Sequence, residues 1–571
     1  MLDCILKGAR VVDPVNHLDR VTDVGIENGK IAAVGDNLGS AKETVSLDGL
    51  VLTPGVIDPH LHLGSEFGSR YGQRMTAMSG VTTCLDMAGP VAGIVADSHE
   101  FGCGINVAML EGFSPMKQMG TKAPDRRTMD AWIGKSLEAG AIGVKILGGH
   151  WPVALETEAT LVEEAVKCGS YIAWHAGSDT AGSNIEGVRE VVRAIGNAPL
   201  HLAHINAYCR GRVNPVLDEV KEALDLLKVH PNIWSEAYVS PMNGTILTCD
   251  TKTGACTDHV TCNCLRTFGC SEDTAGIEKA ILAGNLFVIY DDGNISYLIG
   301  GKEAVDYWKS KGTVTAGSFP VNPASARFLI AEAKRDDGSF VVDSISTDGG
   351  CIPRNVIIDT GLSLVRFGAL TLSEFVVKAS VNAARHLRLV NKGHLTPGAD
   401  ADIPGGDVGL GADVAPQFDH EGLAETHHFG VGLALGVEVR TALRTAHRER
   451  RQRVLEDLLE AEEFQDRGVD RRVEPQPALV GADGVVELEA VTGVDLHATP
   501  VVDPHHLEGE TAVGFDDPLG DLVRLEFGMP VVGLLDGRQY LADGLQILAF
   551  TRVPALEFSH KFVHIHSIIV I

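Results

Sequence analysis

The stretch Val51-Leu52-Thr53-Pro54-Gly55-Val56-Ile57-Asp58-Pro59-His60-Leu61-His62 decides the fold, because the hydrophobic pattern changes on either side of it. Before it, apolar residues alternate with polar ones (Ile5, Val11, Val12, Val21, Val24, Ile26, Ile31, Val34, Val45, Leu47), with a turn signal at Glu27-Asn28-Gly29. That is the pattern of short strands and hairpins, hence of a small β domain. After it, apolar runs of strand length follow one another at 81–86, 105–110, 142–147, 171–175, 200–205, 233–238 and 340–347. Helical patterns lie between most of them, at 127–139, 160–167, 185–195 and 213–227. Counting the strand that ends at His62, strand and helix alternate eight times, which predicts an α/β chain built as a (β/α)8 TIM barrel. The expected layout is a small N-terminal β-sandwich domain at 1–56 and a barrel at 57–390 carrying a Cys-rich insertion at 240–285. A return to the sandwich at 391–403 and an anomalous acidic C-terminal segment at 404–571 complete it.

With 571 residues, 44% hydrophobic and 22% charged, the chain has the composition of a globular protein large enough for a big domain and a smaller one. No run of about 18 apolar residues suggests a membrane span. The start, Met1-Leu2-Asp3-Cys4-Ile5-Leu6-Lys7, does not read as a secretory signal, so a cytoplasmic location is expected. A net charge of −28 argues against a nucleic-acid partner, which would need clustered cations. The acidity is concentrated late: residues 404–571 hold 13 Lys and Arg against 29 Asp and Glu. From Pro404 to Gln546 there is no Ser, Asn, Lys, Ile, Cys or Trp, although all six are common before. A GC-rich coding region read on its opposite strand would give this bias, and so would an acidic extension from a GC-rich genome.

Several ionisable residues stand at the ends of the apolar strands. His60 and His62, two apart on a strand, point the same way and can reach one ion. Lys145, in Gly143-Val144-Lys145-Ile146, sits on an apolar strand where an unpaired ammonium would be costly. His175 and His204 each end a strand, and Asp348 ends the last one. Taken singly, each is also what a hydrogen-bonded core histidine, a snorkelling lysine or a turn aspartate looks like. Their shared position is what adds weight, because barrel enzymes place their chemistry at the C-terminal ends of the strands.

In that order, on strands one, four, five, six and eight, His60-x-His62, Lys145, His175, His204 and Asp348 resemble the binuclear pattern of the amidohydrolase superfamily. The similarity is to its branch of hydantoinases, dihydropyrimidinases, dihydroorotases and isoaspartyl dipeptidases. Ala9-Arg10-Val11-Val12-Asp13-Pro14 and Gly398-Ala399-Asp400-Ala401-Asp402-Ile403 are similar as well, so the resemblance covers about residues 1–403. It implies that CO2 carbamylates Lys145 into a carboxylate bridging two divalent ions. His60, His62 and Asp348 would hold the more buried ion, and His175 and His204 the other. Zn2+ is favoured by this donor set, with Mn2+, Co2+ and Fe2+ as alternatives. Asp348 would take a proton from the bridging water and pass it to the leaving nitrogen. The implied reaction is cleavage of a C–N amide bond in a small-molecule substrate, either a cyclic amide or an N-acyl or N-carbamoyl amino acid, by a homo-oligomeric enzyme (dimer or tetramer). Substrate contacts are expected from His150, Asn206, Tyr208 and Arg210, with Ser178-Asp179 of similar standing; Trp151 reads as packing. Two alternatives stand beside it: a formyl-hydrolysing subunit related to formylmethanofuran dehydrogenase, and a non-catalytic hydantoinase-like scaffold.

The sequence departs from the pattern in two places. Dihydroorotases carry an Arg soon after the first His pair, where this chain has Leu63-Gly64-Ser65. No strands that would complete the sandwich are recognisable after Ile403. Cys249, Cys256, Cys262, Cys264 and Cys270, with His259 among them, lack the Cys-x2-Cys spacing of a zinc site and are expected to be free or locally bonded loop cysteines.

Overall fold

The computed structural model describes residues 1–64 and 70–402, together with the backbone of four short strands further on, Ala434–Leu435, Val531–Leu535, Arg538–Ala542 and Ile568–Ile569. The compositional reading of 404–571 otherwise falls outside the described residues. The chain divides into two compact units, the first comprising Met1–Gly361, Leu372–Glu438 and Phe562–Ile569. In the second, Val531–Leu535 and Arg538–Ala542 form an antiparallel pair.

The first fifty residues form β1 (Leu2–Asp13), β2 (Leu18–Glu27), β3 (Lys30–Gly35), β4 (Ala41–Ser46) and β5 (Val51–Leu52). The β2–β3 hairpin turns at Asn28-Gly29, both at positive φ (51° and 68°), which is the chemistry a two-residue turn needs. Leu6, Val11, Val24, Ile26 and Val45 form the core of this domain, and Leu395, Ala399 and Ala401 enter it from the far end of the barrel. The returning backbone is stitched to the β2–β3 turn region: Ile31 N donates to Ala399 O (2.9 Å) and Ala401 N to Gly29 O (3.0 Å). Beyond β5 the sheet continues with Ala434–Leu435 and Ile568–Ile569, so it does receive strands from after residue 403, although the sequence showed none.

The barrel begins with β6 (Val56–His62) and continues through β7 (Val81–Asp86), β8 (Asn106–Phe113), β9 (Gly143–Leu147), β10 (Tyr171–His175), β11 (Leu200–Leu202) and β12 (Ile233–Tyr238), each parallel to its predecessor. After β12 the chain leaves the barrel for an insertion with its own antiparallel sheet: β13 (Asn243–Ile246), β14 (Phe287–Asp291), β15 (Ser296–Ile299) and β16 (Ala316–Phe319). Helices His259–Thr267, Thr274–Leu282 and Gly301–Ser310 pack on that sheet through Leu247, Cys264, Leu265, Ile277, Ile281, Val288, Trp308 and Phe319. Ordered secondary structure of the insertion therefore reaches residue 319 rather than the expected 285.

The eighth strand is split into β17 (Ser344–Ser346) and β18 (Gly349–Gly350). β17 pairs with β12 and β18 with β6, so one stretch of chain spans both edges and closes the barrel. Its two intervening residues take part too, Asp348 N donating to His60 O at 2.8 Å. Helices follow the strands on the outside. Ile185–Ile195 is typical: Asn184 caps it by accepting from Glu186 N and Gly187 N, and Val188, Val191, Val192 and Ile195 are buried at helical spacing. Among the described residues, no helix is long and apolar enough to cross a membrane.

Candidate active site

All seven residues of β6 are buried, and its end brings His60 and His62 together with Asp348 of the eighth strand. One ligand atom from each of these three lies within 4.8 Å of the others, the one such His, Cys, Asp or Glu group among the described residues. His62 Nε2 stands 2.8 Å and His60 Nε2 3.4 Å from Asp348 Oδ1. Lys145, 1% exposed on β9, places Nζ 3.0 Å from His60 Nε2. The His204 ring stacks on that of His60 with centroids 4.9 Å apart, and the His175 ring meets the His204 ring edge-on at 4.5 Å. His175 is the outermost of the set, with Nε2 2.8 Å from Ser183 Oγ.

Two of these positions hold backbone strain. His204 has φ 34° and Asp348 φ 52°, a left-handed conformation that non-glycine residues rarely adopt. At His204 it ends β11 early; at Asp348 it splits the eighth strand. Close packing fixes His175 as well, because a Cβ built on Gly149 would come within 2.2 Å of its Nε2. Only glycine lets the loop after β9 approach the imidazole that closely.

Burial sets the electrostatics. It pushes His60, His175 and His204 well below the ordinary histidine value, so these imidazoles are neutral and offer lone pairs. It also lowers Lys145 to about 8, against the pull of Asp348, Glu236 and Asp86. Burial alone would raise Asp348, but the Arg354 guanidinium, with His60 and His62, holds it well below the usual carboxylate range. Arg354 Nη2 lies 2.9 Å from Asp348 Oδ2, and its Nε donates to the Asp348 carbonyl at 2.5 Å.

Behind the imidazoles lies Glu236 of β12, which is fully buried. Its Oε1 is 2.6 Å from His60 Nδ1 and accepts from His204 N at 2.8 Å, while Oε2 contacts His201 Nε2. His201 Nδ1 continues to Tyr171 OH at 2.9 Å. Sequence reasoning missed both Glu236 and Arg354. A carboxylate inside the apolar run Ile233–Tyr238 was a readable signal for Glu236, of the same kind as Lys145 on its strand. For Arg354, in a loop, there was none.

The expected substrate contacts fare differently. His150 stands at the mouth, its ring 5.2 Å from that of His175, beside a cleft that Thr245, Asp258, Ile289, Ala316 and Ile352 also line. Burial lowers it to about 4. Asn206 is not available to a ligand: its amide donates to Tyr238 O (2.9 Å) and accepts from Tyr238 N (2.8 Å), extending the barrel pairing where β11 has stopped. Tyr208 OH accepts from Ala176 N at 2.9 Å and supports the loop behind His175. Arg210, expected to hold a substrate carboxylate, binds Asn322 Oδ1 (2.8 Å) and Asn243 Oδ1 (3.0 Å) and so fastens the insertion to the barrel rim. Ser178 Oγ donates to Glu190 Oε2 at 2.7 Å. The insertion's cysteines are free thiols; Cys249, Cys262, Cys264 and Cys270 are buried rather than displayed on loops, and Cys262 and Cys264 lie on a helix.

The donor set suits divalent cations. It combines neutral imidazoles, one anionic carboxylate and a buried lysine, and the buried His204 Nδ1 has no hydrogen-bond partner. Comparison with known proteins agrees with the architecture. Residues 51–404 match the profile of the Amidohydrolase family, and the chain belongs to that family. A dihydroorotase from Syntrophus aciditrophicus (strain SB) is 26% identical over 439 residues, covering 70% of this chain and 88% of that protein. An allantoinase from Escherichia coli (strain SMS-3-5 / SECEC) is 39% identical over 90 residues, which are 15% of this chain and 19% of the allantoinase. Among solved structures, a D-aminoacylase superposes with a TM-score of 0.51 at 19% identity, covering 70% of this chain and 89% of its own. The N-acyl-D-glutamate deacylase of Bordetella bronchiseptica, solved with zinc and a phosphonate inhibitor, gives 0.51 at 18% identity with the same coverages. The fold is thus that of the TIM-barrel amidohydrolases, and the chain is a hydrolase acting on carbon–nitrogen bonds other than peptide bonds.

Proposed function

We propose that this enzyme uses two divalent ions, zinc foremost, to hydrolyse the amide bond of a cyclic amide of the hydantoin or dihydropyrimidine kind, or of an N-acyl amino acid. The observation that carries the reading is Lys145: a buried amine with a lowered pKa, 3.0 Å from His60 Nε2 and beside the His60, His62 and Asp348 cluster. Structural packing alone gives no reason to place a lysine there. Carbamylation would turn this cation into an anion able to join two ions, with His60, His62 and Asp348 holding one and His175 and His204 the other. When bound, the ions would supply Lewis acidity to the amide carbonyl and acidity to a water.

The protein's own groups supply the rest. Asp348, held as a carboxylate by Arg354, is placed to accept a proton at Oδ1 and return it to the leaving nitrogen. His150, uncharged and at the mouth, is the side chain best placed to meet substrate, and the insertion covers that side from bulk water. The substrate class draws support from the names of the relatives: dihydroorotase and allantoinase, and two fold neighbours that are a D-aminoacylase and an N-acyl-D-glutamate deacylase. Leu63-Gly64-Ser65, where dihydroorotases carry Arg, weighs against dihydroorotase activity itself. A cytoplasmic homo-oligomer is part of the same proposal.

The test is a turnover screen of hydantoins, dihydropyrimidines, lactams and N-acyl amino acids with full-length protein reconstituted with Zn2+ and bicarbonate. One of the four classes should turn over. Lys145→Ala should abolish that turnover and release metal, and a short carboxylic acid should restore part of both. A protein that binds no divalent ion and turns over none of the four would overturn the proposal.

A further inference from the structure

Glu236 hydrogen-bonds a residue from each half of the candidate metal centre. Its Oε1 meets His60 Nδ1 at 2.6 Å and the backbone N of His204 at 2.8 Å, and its Oε2 is held by His201, itself anchored by Tyr171. We propose that Glu236 is a positioning residue that sets both ion sites at once, an inference resting on the two-ion reading above.

The first effect is on His60. A carboxylate on Nδ1 makes that nitrogen the donor, which fixes the tautomer whose Nε2 lone pair faces Lys145 and Asp348, and it raises the basicity of that lone pair. The second is on His204. Its left-handed backbone at φ 34° is costly for a residue with a Cβ, and the hydrogen bond from its N–H to Glu236 compensates that cost while the ring is presented against His60. The third is charge. Cations on the far side of His60 and a fully buried carboxylate behind it stabilise one another, so the charge of Glu236 counts toward ion binding. Were the position only structural, a glutamine of the same shape would fill it at lower cost.

Glutamine keeps the shape and an acceptor oxygen but loses the charge, so the substitution reads on ion affinity rather than on ion-free stability, which makes the inference testable in the full chain. Wild type and Glu236→Gln are stripped with a chelator, titrated with Zn2+ against a chromophoric competitor, and melted in the ion-free state. Both dissociation constants should rise about ten- to a hundredfold in E236Q. Its ion-free melting temperature should equal or exceed that of ion-free wild type. A merely structural residue would give the reverse, a lower ion-free melting temperature with zinc affinity intact, and that result overturns the inference. Loss confined to one of the two ions overturns it too. If E236Q does not fold, Glu236→Asp keeps the charge but shortens the reach. Weakened binding of both ions by E236D supports the inference, and wild-type affinities refute it. A wild-type chain that takes up no zinc overturns the two-ion reading together with this inference. Two ions in wild type beside unaffected E236Q overturn this inference alone.

Discussion

Glu158 shows how much one buried side chain can shape the response of this enzyme to pH. It lies at the start of the helix Leu155–Lys167, and neither carboxylate oxygen has a hydrogen-bond partner. Burial, with Glu190 and Asp179 nearby, pushes it up from an ordinary 4.5 to about 9. The folded state therefore keeps a proton that the unfolded chain gives up, and stability drains away as pH rises from about 4.5 toward 9. The slope is up to about 1.4 kcal/mol per pH unit for one such group. Glu158→Gln should be more stable than wild type at pH 8, with the gap closing near pH 5; urea midpoints at the two pH values check this. Legibility in the sequence also varied residue by residue. His60, His62, Lys145, His175, His204 and Asp348 were readable because each is a polar residue on or at the end of an apolar strand, and the structure brings them together. Asn206, Tyr208 and Arg210, expected as substrate contacts, are instead found bonded to neighbouring backbone and to the insertion. A polar residue after a strand can as well serve a neighbouring backbone or an insertion, and sequence does not say which partner it meets.

Elements were legible where period and length agreed, as at Tyr171–His175 and Ile233–Tyr238, whose observed bounds equal the expected ones. They were less so where function bends the chain. The expected strand 200–205 stops at Leu202 because His204 turns left-handed, and the expected run 340–347 is a strand only from Ser344. Val341 N there donates to Ala333 O, turning the first half back toward the preceding helix. The insertion was underestimated because its strands are four or five residues long and carry no strong alternation. Two element-scale predictions follow from loops that meet the site. Gly149→Ala would drive a methyl into His175, costing about 1–3 kcal/mol and displacing one candidate ligand. Metal analysis should then find the protein short of one ion. Arg210→Met removes the bonds to Asn243 and Asn322, worth about 1–3 kcal/mol of local stability. Hydrogen exchange should quicken across residues 243–319 while the barrel strands stay protected.

For the whole molecule, ions that bind only the native site add to its stability by mass action. A hundredfold excess of Zn2+ over its dissociation constant should stabilise the chain by about 2.7 kcal/mol, and a chelator should reverse the rise in melting temperature. Lys145→Ala should show no such response. Global organisation was legible in the switch of pattern around Val51–His62, whereas the tail's composition gave no elements to read. The small domain's core has a further consequence, one that concerns the order of synthesis. Leu6, Val11, Val24 and Leu52 leave the ribosome early, but Leu395, Ala399 and Ala401, which finish covering them, follow roughly 340 residues later. At translation speeds of about 5–20 residues per second, the nascent amino-terminal sheet waits some 20–70 s for these core partners. Throughout that interval its unfinished apolar face is a target for chaperones, and a circular permutant that begins inside the barrel would shorten the wait.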